Sequence, residues 1–153
     1  INIIENIFLE ADQISSMYIE KFVKPLPGVR EFLLNCQKRS ISVAILSNDT
    51  SKRCRLAIKV LGFEQQIKYV FGGEEINKSK KSGQLAKLAM NKMKVKSNKV
   101  LNVGDHPNDI AMGINAKINN NVGVLTGLSK LESFSDYNCS IIKDFKNFIF
   151  LND

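Results

Sequence analysis

Short runs of apolar residues alternate along this chain with segments whose apolar residues recur at helical spacing. The apolar runs lie near residues 42–46, 69–71, 100–103, 122–125 and 140–142. The helical segments cover 3–23, the residues after Gly28, 51–61, 83–93, 109–116 and 143–150. Strands that are apolar on both faces are typical of a parallel sheet that helices cover on both sides. We therefore predict an α/β fold with a doubly wound, Rossmann-like, mainly parallel sheet and flanking helices.

Length and composition limit the other possibilities. The 153 residues are 44% hydrophobic and 24% charged, which is typical of one globular domain. No apolar run approaches the roughly 20 residues that a membrane span needs. Three widely spaced cysteines and one histidine offer neither a disulfide framework nor a zinc motif. We expect reduced thiols, a cytoplasmic location and no membrane partner.

The net charge of +7 is concentrated in one segment of the chain. Residues 78–99 contain eight lysines and no acidic residue. Surfaces that bind nucleic acid usually combine arginine with interleaved aromatic residues, and this segment has neither. We therefore expect no nucleic-acid partner. A non-enzymatic module that binds a polyanion through these lysines is kept as an alternative.

Two acidic residues mark the end of the predicted strand at 100–103. Asp105 follows this strand, and Asp109 comes four residues later at the opening of a helix. Ligands of open parallel sheets bind beyond the carboxyl ends of the strands, and paired carboxylates there suit Mg²⁺. Gly104 permits a tight turn beside them and is a candidate substrate-binding residue. The same acids could instead stabilise a helix N-terminus, and His106 between them is more typical of a rim residue than of a general base.

A second polar group, Ser47, Asn48 and Asp49, follows the first predicted strand. A hydroxyl, an amide and successive backbone N–H groups at a helix start can form a cradle for an anion. The same residues are also common helix caps, so both interpretations stay open. A lysine from the segment 78–81 could neutralise a phosphate at this edge of the sheet, although lysines in basic runs are usually solvated.

The order of these groups resembles the haloacid dehalogenase superfamily, and more closely its phosphoglycolate-phosphatase-like branch. That order is an apolar strand followed by Ser-Asn, a lysine before a helix, and an apolar strand followed by Gly-Asp-x-x-x-Asp. The segment 24–29 is similar to the family's junction between cap and core, and 122–128 is similar to its fourth strand and following loop. The resemblance runs in order from residue 15 to residue 150.

The resemblance implies Mg²⁺-dependent hydrolysis of a small phosphorylated metabolite. Ser47 matches the family's residue that hydrogen-bonds the transferring phosphoryl group, and Asn48 is its usual neighbour in phosphate contact. Lys80 is favoured as the catalytic lysine. Lys78 and Lys81 are rivals, because the family normally has Lys-Pro at this point and Lys81 stands where the proline would be.

The two acids also have counterparts in the family. Asp105 matches the Mg²⁺ ligand, and Asp109 matches a second acid that either supports the metal or holds the lysine. The superfamily also contains phosphomutases and dehalogenases, which are alternatives to a phosphatase. Dehalogenases need no Mg²⁺, so the acid pair favours a phosphate substrate.

One part of the family pattern is absent. The first motif, Asp-x-Asp-x-Thr, carries the nucleophile and the general acid on the central strand, and no Asp-x-Asp occurs in this chain. We therefore interpret 1–24 as the end of a helical cap and 25–153 as a core without its first strand. An upstream motif in a longer parent protein is favoured over a shortened, non-catalytic product, because a missing central strand exposes two strand edges. The strands at 42–46 and 100–103 should then not pair with each other.

Overall fold

The structure of the protein is a computed structural model that describes residues 3–150. Within this range, α-helices cover Ile3–Phe22 (α1), Val29–Lys38 (α2), Ser51–Leu61 (α3), Gln84–Met93 (α4) and Pro107–Asn115 (α5). Strands cover Val43–Leu46 (β1), Ile67–Phe71 (β2), Leu101–Gly104 (β3), Asn120–Val124 (β4) and Ser140–Ile142 (β5). The alternation of helices with parallel strands confirms the predicted fold class. No helix among the described residues is long and apolar enough to cross a membrane.

The strands form two separate parallel sheets. β1 pairs with β2, from Val43 opposite Ile67 to Leu46 opposite Phe71. β3, β4 and β5 form the second sheet in that order. Among residues 3–150, β1 and β3 do not hydrogen-bond to each other, as the sequence predicts.

Helices, rather than strand pairing, connect the two sheets. α4 contacts β1 and β2, α5 contacts β3 and β4, and the two helices contact each other. The core between them is built from seven buried residues: Phe71, Leu85, Ala86, Ala89, Met112, Ala116 and Ile118. A second core packs α2 and α3 against β2 through Leu33, Ile58, Phe63, Ile67 and Val70. Burial of these apolar side chains is the main force that holds the two sheets together.

The first helix is present but lies at the surface. None of the described residues of α1 is buried, and Phe8 is 72% exposed. The helix contacts α3, where Asp12 accepts hydrogen bonds from Lys52 at 3.2 Å and from Arg53 at 2.9 Å. The interpretation of 1–24 as the end of a cap stays a prediction.

The predicted closing helix at 143–150 is wrong. The structure has only one 3₁₀ turn there, Phe145–Asn147, which begins where the Asp144 carboxylate accepts a hydrogen bond from the Lys146 N–H at 2.8 Å. The aromatic rings of this segment gather on Phe32 of α2, with centroids 4.8 to 5.5 Å away. The spacing of the apolar residues in this segment resembles that of a helix, but in the structure these residues contact Phe32. This tertiary contact overrides the weak helix preference of a short segment.

Several boundaries differ from the predicted ones by a few residues. β2 begins at Ile67 instead of residue 69, and β3 and β4 are displaced by one or two residues. α5 begins at Pro107, two residues before Asp109. Proline is favoured at the first position of a helix because it has no N–H to leave unpaired. Asp109 therefore lies inside the first turn of α5 rather than at its cap.

Candidate functional site

Residues that follow β1 and β3 line one shared cleft of about 310 Å³. Its walls are formed by Ser47, Asn48, Lys80, Asp105, His106, Asn108 and Asp109. The structure thus brings together five of the seven site residues that the sequence predicts. Asp49 and Gly104 do not line the cleft, and they adjoin it in the turns that carry its walls.

Backbone contacts with the end of β2 hold the turn after β1. The N–H of Ser47 donates to the carbonyl of Phe71 at 3.0 Å, and the N–H of Gly73 donates to the carbonyl of Asp49 at 3.0 Å. A Cβ at Gly73 would lie 2.5 Å from the backbone carbonyl oxygen of Asn48, so only glycine permits this approach without a shift. The Ser47 hydroxyl accepts a hydrogen bond from the N–H of Asp49 at 3.1 Å. Ser47 and Asn48 are therefore presented to the cleft by a turn that β2 supports.

The side chain of Asp49 is engaged outside the cleft. Its carboxylate accepts a hydrogen bond from the Thr50 N–H at 2.7 Å and forms an ion pair with Arg53. The hydrogen bond from Arg53 is the main cause of a lowered pKa for Asp49. Any contribution of Asp49 to ligand binding would therefore come from its backbone, and the side chain shapes the turn.

The turn after β3 forms the opposite wall. His106 is the N-cap of α5, and its Nδ1 accepts a hydrogen bond from the Asn108 N–H at 3.0 Å. The Oδ2 atom of Asp109 accepts a hydrogen bond from the His106 N–H at 3.2 Å. These reciprocal bonds satisfy two N–H groups that a helix start leaves unpaired. A Cβ at Gly104 would overlap Asp109, so the glycine allows the Asp109 side chain to lie against the strand end.

Lys80 and Asp109 form an ion pair at the base of the cleft. Lys80 Nζ lies 2.7 Å from Asp109 Oδ1, and the two side chains are only 14% and 10% exposed. Lys78 and Lys81 are exposed and do not line the cleft. The 3₁₀ turn Lys80–Ser82 packs against α5, and Asn115 Nδ2 donates to the carbonyl of Lys81 at 2.8 Å. Of the three lysines that the sequence left open, the structure thus brings Lys80 to Asp109 and to the cleft that Asp105 also lines.

The acids differ in what they could offer a metal ion. Both oxygens of Asp109 have partners, Lys80 on one side and the His106 N–H on the other. Asp105 is exposed, and its carboxylate lies against Gly127, where a Cβ would overlap it. Within residues 3–150 no group of three or more acidic, histidine or cysteine side chains could hold a metal ion. The residues present therefore fit one carboxylate ligand for Mg²⁺, Asp105, and they fit the family alternative in which the second acid holds the lysine.

Two features of the site are not among the residues that the sequence predicts. Asn108 lines the cleft beside His106. Asn102 and Asn121 form a buried hydrogen-bonded pair behind α5, at 9% and 6% exposure. Only Asn102 gives a signal in the sequence, because it interrupts an otherwise apolar run, whereas Asn121 is the last of three consecutive asparagines before the next run. An asparagine in a strand also does not reveal its partner.

The sequence of residues 4–122 matches the family of haloacid dehalogenase-like hydrolases. This match covers most of the chain, and the chain belongs to this family. A comparison with curated protein sequences gave no match.

Solved structures share the fold at low sequence identity. A Thermotoga maritima protein assigned as a β-phosphoglucomutase superposes with a TM-score of 0.80 at 18% identity, over 94% of this chain and 67% of its own. A haloacid dehalogenase-like hydrolase from Bacteroides fragilis superposes with a TM-score of 0.80 at 21% identity, over 90% of this chain and 66% of its own. A predicted phosphoglycolate phosphatase from Haemophilus somnus superposes with a TM-score of 0.73 at 21% identity, over 84% of this chain and 57% of its own. The chain thus spans about three fifths to two thirds of the length of these proteins.

Proposed function

We propose that this chain forms the phosphate-binding and metal-binding part of a site that hydrolyses a small phosphate monoester with Mg²⁺. The observation that carries the proposal is the Lys80–Asp109 ion pair, which faces Ser47 and Asn48 across one cleft. A fixed positive charge opposite hydroxyl and amide groups suits a phosphoryl group. Catalysis of phosphoryl transfer depends mainly on such positioning and electrostatic stabilisation.

Five of the residues that line the cleft have distinct parts in this proposal. The Ser47 hydroxyl and the Asn48 amide hydrogen-bond the phosphoryl oxygens, and Lys80 neutralises their charge. Asp109 holds the ammonium group in place, so little side-chain entropy is lost when the phosphate binds. Asp105 would hold Mg²⁺, which when bound supplies further charge neutralisation.

The nucleophile in this proposal comes from an Asp-x-Asp segment that these 153 residues do not contain. A carboxylate oxygen of the first Asp of that segment attacks phosphorus, and the ester oxygen leaves as an alcohol after it gains a proton from the second Asp. Water then cleaves the acyl phosphate to inorganic phosphate and regenerates the carboxylate. Within residues 3–150, β1 pairs only with β2 and β3 pairs only with β4, and residues that follow β1 and β3 line the cleft, so such a strand would fit between these two strands.

A phosphomutase is the second candidate, because the fold matches a protein assigned as a β-phosphoglucomutase. The two reactions share the phosphoryl-enzyme step and differ in whether water or a sugar hydroxyl accepts the group. Incubation with hexose phosphates and analysis of the products would separate them, since a mutase moves phosphate between positions and releases little of it.

For either reaction we propose a cytoplasmic location, which the three unpaired cysteines support.

Lysine variants of the full-length protein give the sharpest test. We expect Lys80→Ala to lower the turnover of a phosphate monoester roughly 100-fold or more. The matched controls Lys78→Ala and Lys81→Ala should stay within about threefold of wild type, because exposed charges are screened by solvent. Equal losses in all three variants would remove the assigned role of Lys80.

A second variant tests the metal site. We expect Asp105→Ala to abolish the dependence of turnover on added Mg²⁺ and to lower the rate roughly 100-fold or more. Activity that Asp105→Ala leaves unchanged would exclude Asp105 from the mechanism.

A further inference from the structure

Two buried asparagine side chains connect the second sheet to the candidate site. Asn102 of β3 and Asn121 of β4 lie opposite each other in the parallel register. Asn102 Nδ2 donates to Asn121 Oδ1 at 3.0 Å and to the backbone carbonyl of Asp109 at 2.8 Å. Asn121 Nδ2 in turn donates to the carbonyl of Ile118 at 2.8 Å. The pair therefore has two arms, one directed to the site and one directed away from it.

This amide pair is an unusual choice for its position. Strands that are buried on both faces favour β-branched apolar residues, and a buried amide lowers stability unless its hydrogen bonds are made. A Cβ at Gly113 of α5 would overlap Asn121 Oδ1 and lie 2.5 Å from Asn102 Nδ2. Hence α5 approaches the amides closely only because residue 113 is glycine. Packing alone would be met more simply by two valines.

The hydrogen bond from Asn102 reaches Asp109, which is the residue that holds Lys80. The Asp109 carbonyl accepts from Asn102, while the Asp109 carboxylate pairs with Lys80 at 2.7 Å. Asn102 thereby attaches the first turn of α5 to a strand, which is a more rigid support than the solvent-exposed turn at 105–108. Small errors in the placement of a reacting or charged group lower rates steeply.

We propose that Asn102 is a positioning residue that fixes Asp109, and through it Lys80, in the geometry that phosphoryl transfer needs. The catalytic consequence rests on the proposed function. The local consequence, an ordered first turn of α5, does not.

Asn121 provides a matched control for the full-length protein. Asn121→Val removes the bond to Ile118 and the bond between the two amides, and it leaves the bond from Asn102 to Asp109. Asn102→Val removes the bond to Asp109. The double variant removes both amides together, so that neither side-chain amide is left without the other, while the carbonyls of Asp109 and Ile118 lose their side-chain donors. It serves if Asn102→Val alone folds poorly.

We expect kcat for a phosphate monoester to fall about tenfold or more in Asn102→Val and in the double variant, per folded molecule. KM should change by less than about threefold, because Ser47 and Asn48 are untouched. Asn121→Val should keep kcat within about twofold of wild type. Equal kcat values for Asn102→Val and Asn121→Val would overturn the proposal.

Backbone hydrogen exchange tests the local consequence without any turnover. The Asp109 N–H donates to the carbonyl of His106 at 2.9 Å, and this amide should exchange at least about tenfold faster in Asn102→Val than in Asn121→Val. Amides in the last turn of α5 should exchange equally in both variants. Uniform acceleration along the helix would mean that Asn102 only stabilises the fold, and the proposal would fail. If the wild type hydrolyses no phosphate ester, the proposed function fails while this comparison still decides the positioning role.

Discussion

The two strand ends that form the cleft are held in place by different forces. After β1, the turn with Ser47 and Asn48 is surrounded by charged side chains near solvent, in which Arg53 bridges Asp49 and Asp12 of α1. After β3, the turn with Asp109 rests on buried amides and on an ion pair that is largely shielded from water. The β1 side combines backbone hydrogen bonds to the end of β2 with ion pairs near the surface, and the β3 side depends on packing and buried hydrogen bonds.

This difference predicts how each side responds to change. Exposed ion pairs contribute little and are weakened by salt, so the β1 side can shift with conditions and with the position of α1. Buried polar networks tolerate little change, because a removed partner leaves an unsatisfied group. The β3 side should therefore be the rigid half of the site.

The largest effect should come from closing the space beside Asp109. We expect Gly104→Ala to lower the free energy of unfolding by about 3 kcal/mol, because its Cβ would lie 2.7 Å from Asp109 Cγ and would overlap the Cβ. Gly62→Ala is the control, since Gly62 also terminates a secondary-structure element but has open space around it. There the loss should be about 1 kcal/mol, from the positive φ alone. Denaturant unfolding measures both, and a smaller loss for Gly104→Ala than for Gly62→Ala would contradict the rigid description of the β3 side.

The next effect concerns the shielded ion pair. Asp109→Asn leaves the Lys80 ammonium with 14% exposure and no counter-charge, so we expect a loss of roughly 2 kcal/mol. Asp105→Asn, at an exposed position four residues earlier, should change stability by less than about 0.5 kcal/mol. Equal losses in chemical denaturation would show that the two acids have the same structural role.

On the β1 side we expect a smaller response. Arg53→Gln breaks the bridge between Asp12 and Asp49, yet the midpoint of thermal unfolding should fall by less than about 4 °C. Salt at about 0.5 M should reduce the difference further by screening. A shift that exceeds the loss from Asp109→Asn would reverse the comparison between the two sides.

The smallest effect is a difference in pH response. The pKa of Asp49 is lowered from 3.8, chiefly by the hydrogen bond from Arg53. A carboxylate with a lowered pKa in the folded state stabilises the fold above its unfolded pKa, and this contribution is lost as the pH falls through the folded value. The stability difference between wild type and Arg53→Gln should therefore be constant at neutral pH and shrink below pH 3.8.

The buried amides provide the contrast in the same titration. The difference between wild type and Asn102→Val/Asn121→Val should not vary over that range, since neither amide titrates. Unfolding measured from about pH 7 to about pH 2.5 tests both expectations. A pH-dependent difference in the amide variant would contradict the assignment of separate forces to the two sides.

The sequence by itself determined the fold class and the approximate position of every strand within the described residues. Short apolar runs bounded by polar residues are local signals, and burial on both faces follows directly from their composition. Each predicted strand also shows where its carboxyl end lies, and ligands bind at that end of a parallel sheet. The sequence therefore predicted Ser47, Asn48, Asp105 and Asp109 as site residues without coordinates. The absence of Asp-x-Asp likewise predicted that β1 and β3 do not pair.

Tertiary structure alone decided which residues meet. The sequence favours Lys80 but leaves Lys78 and Lys81 as rivals, and the packing of the 3₁₀ turn on α5 is what brings Lys80 to Asp109. Arg53 directs the Asp49 side chain away from the cleft, and rings that gather on Phe32 replace the expected closing helix. The pairing of Asn102 with Asn121 depends on the register of β3 and β4. Each of these contacts depends on how well the side chains pack and on what their burial costs in lost hydration. Neither quantity can be calculated from the spacing of residues along the chain.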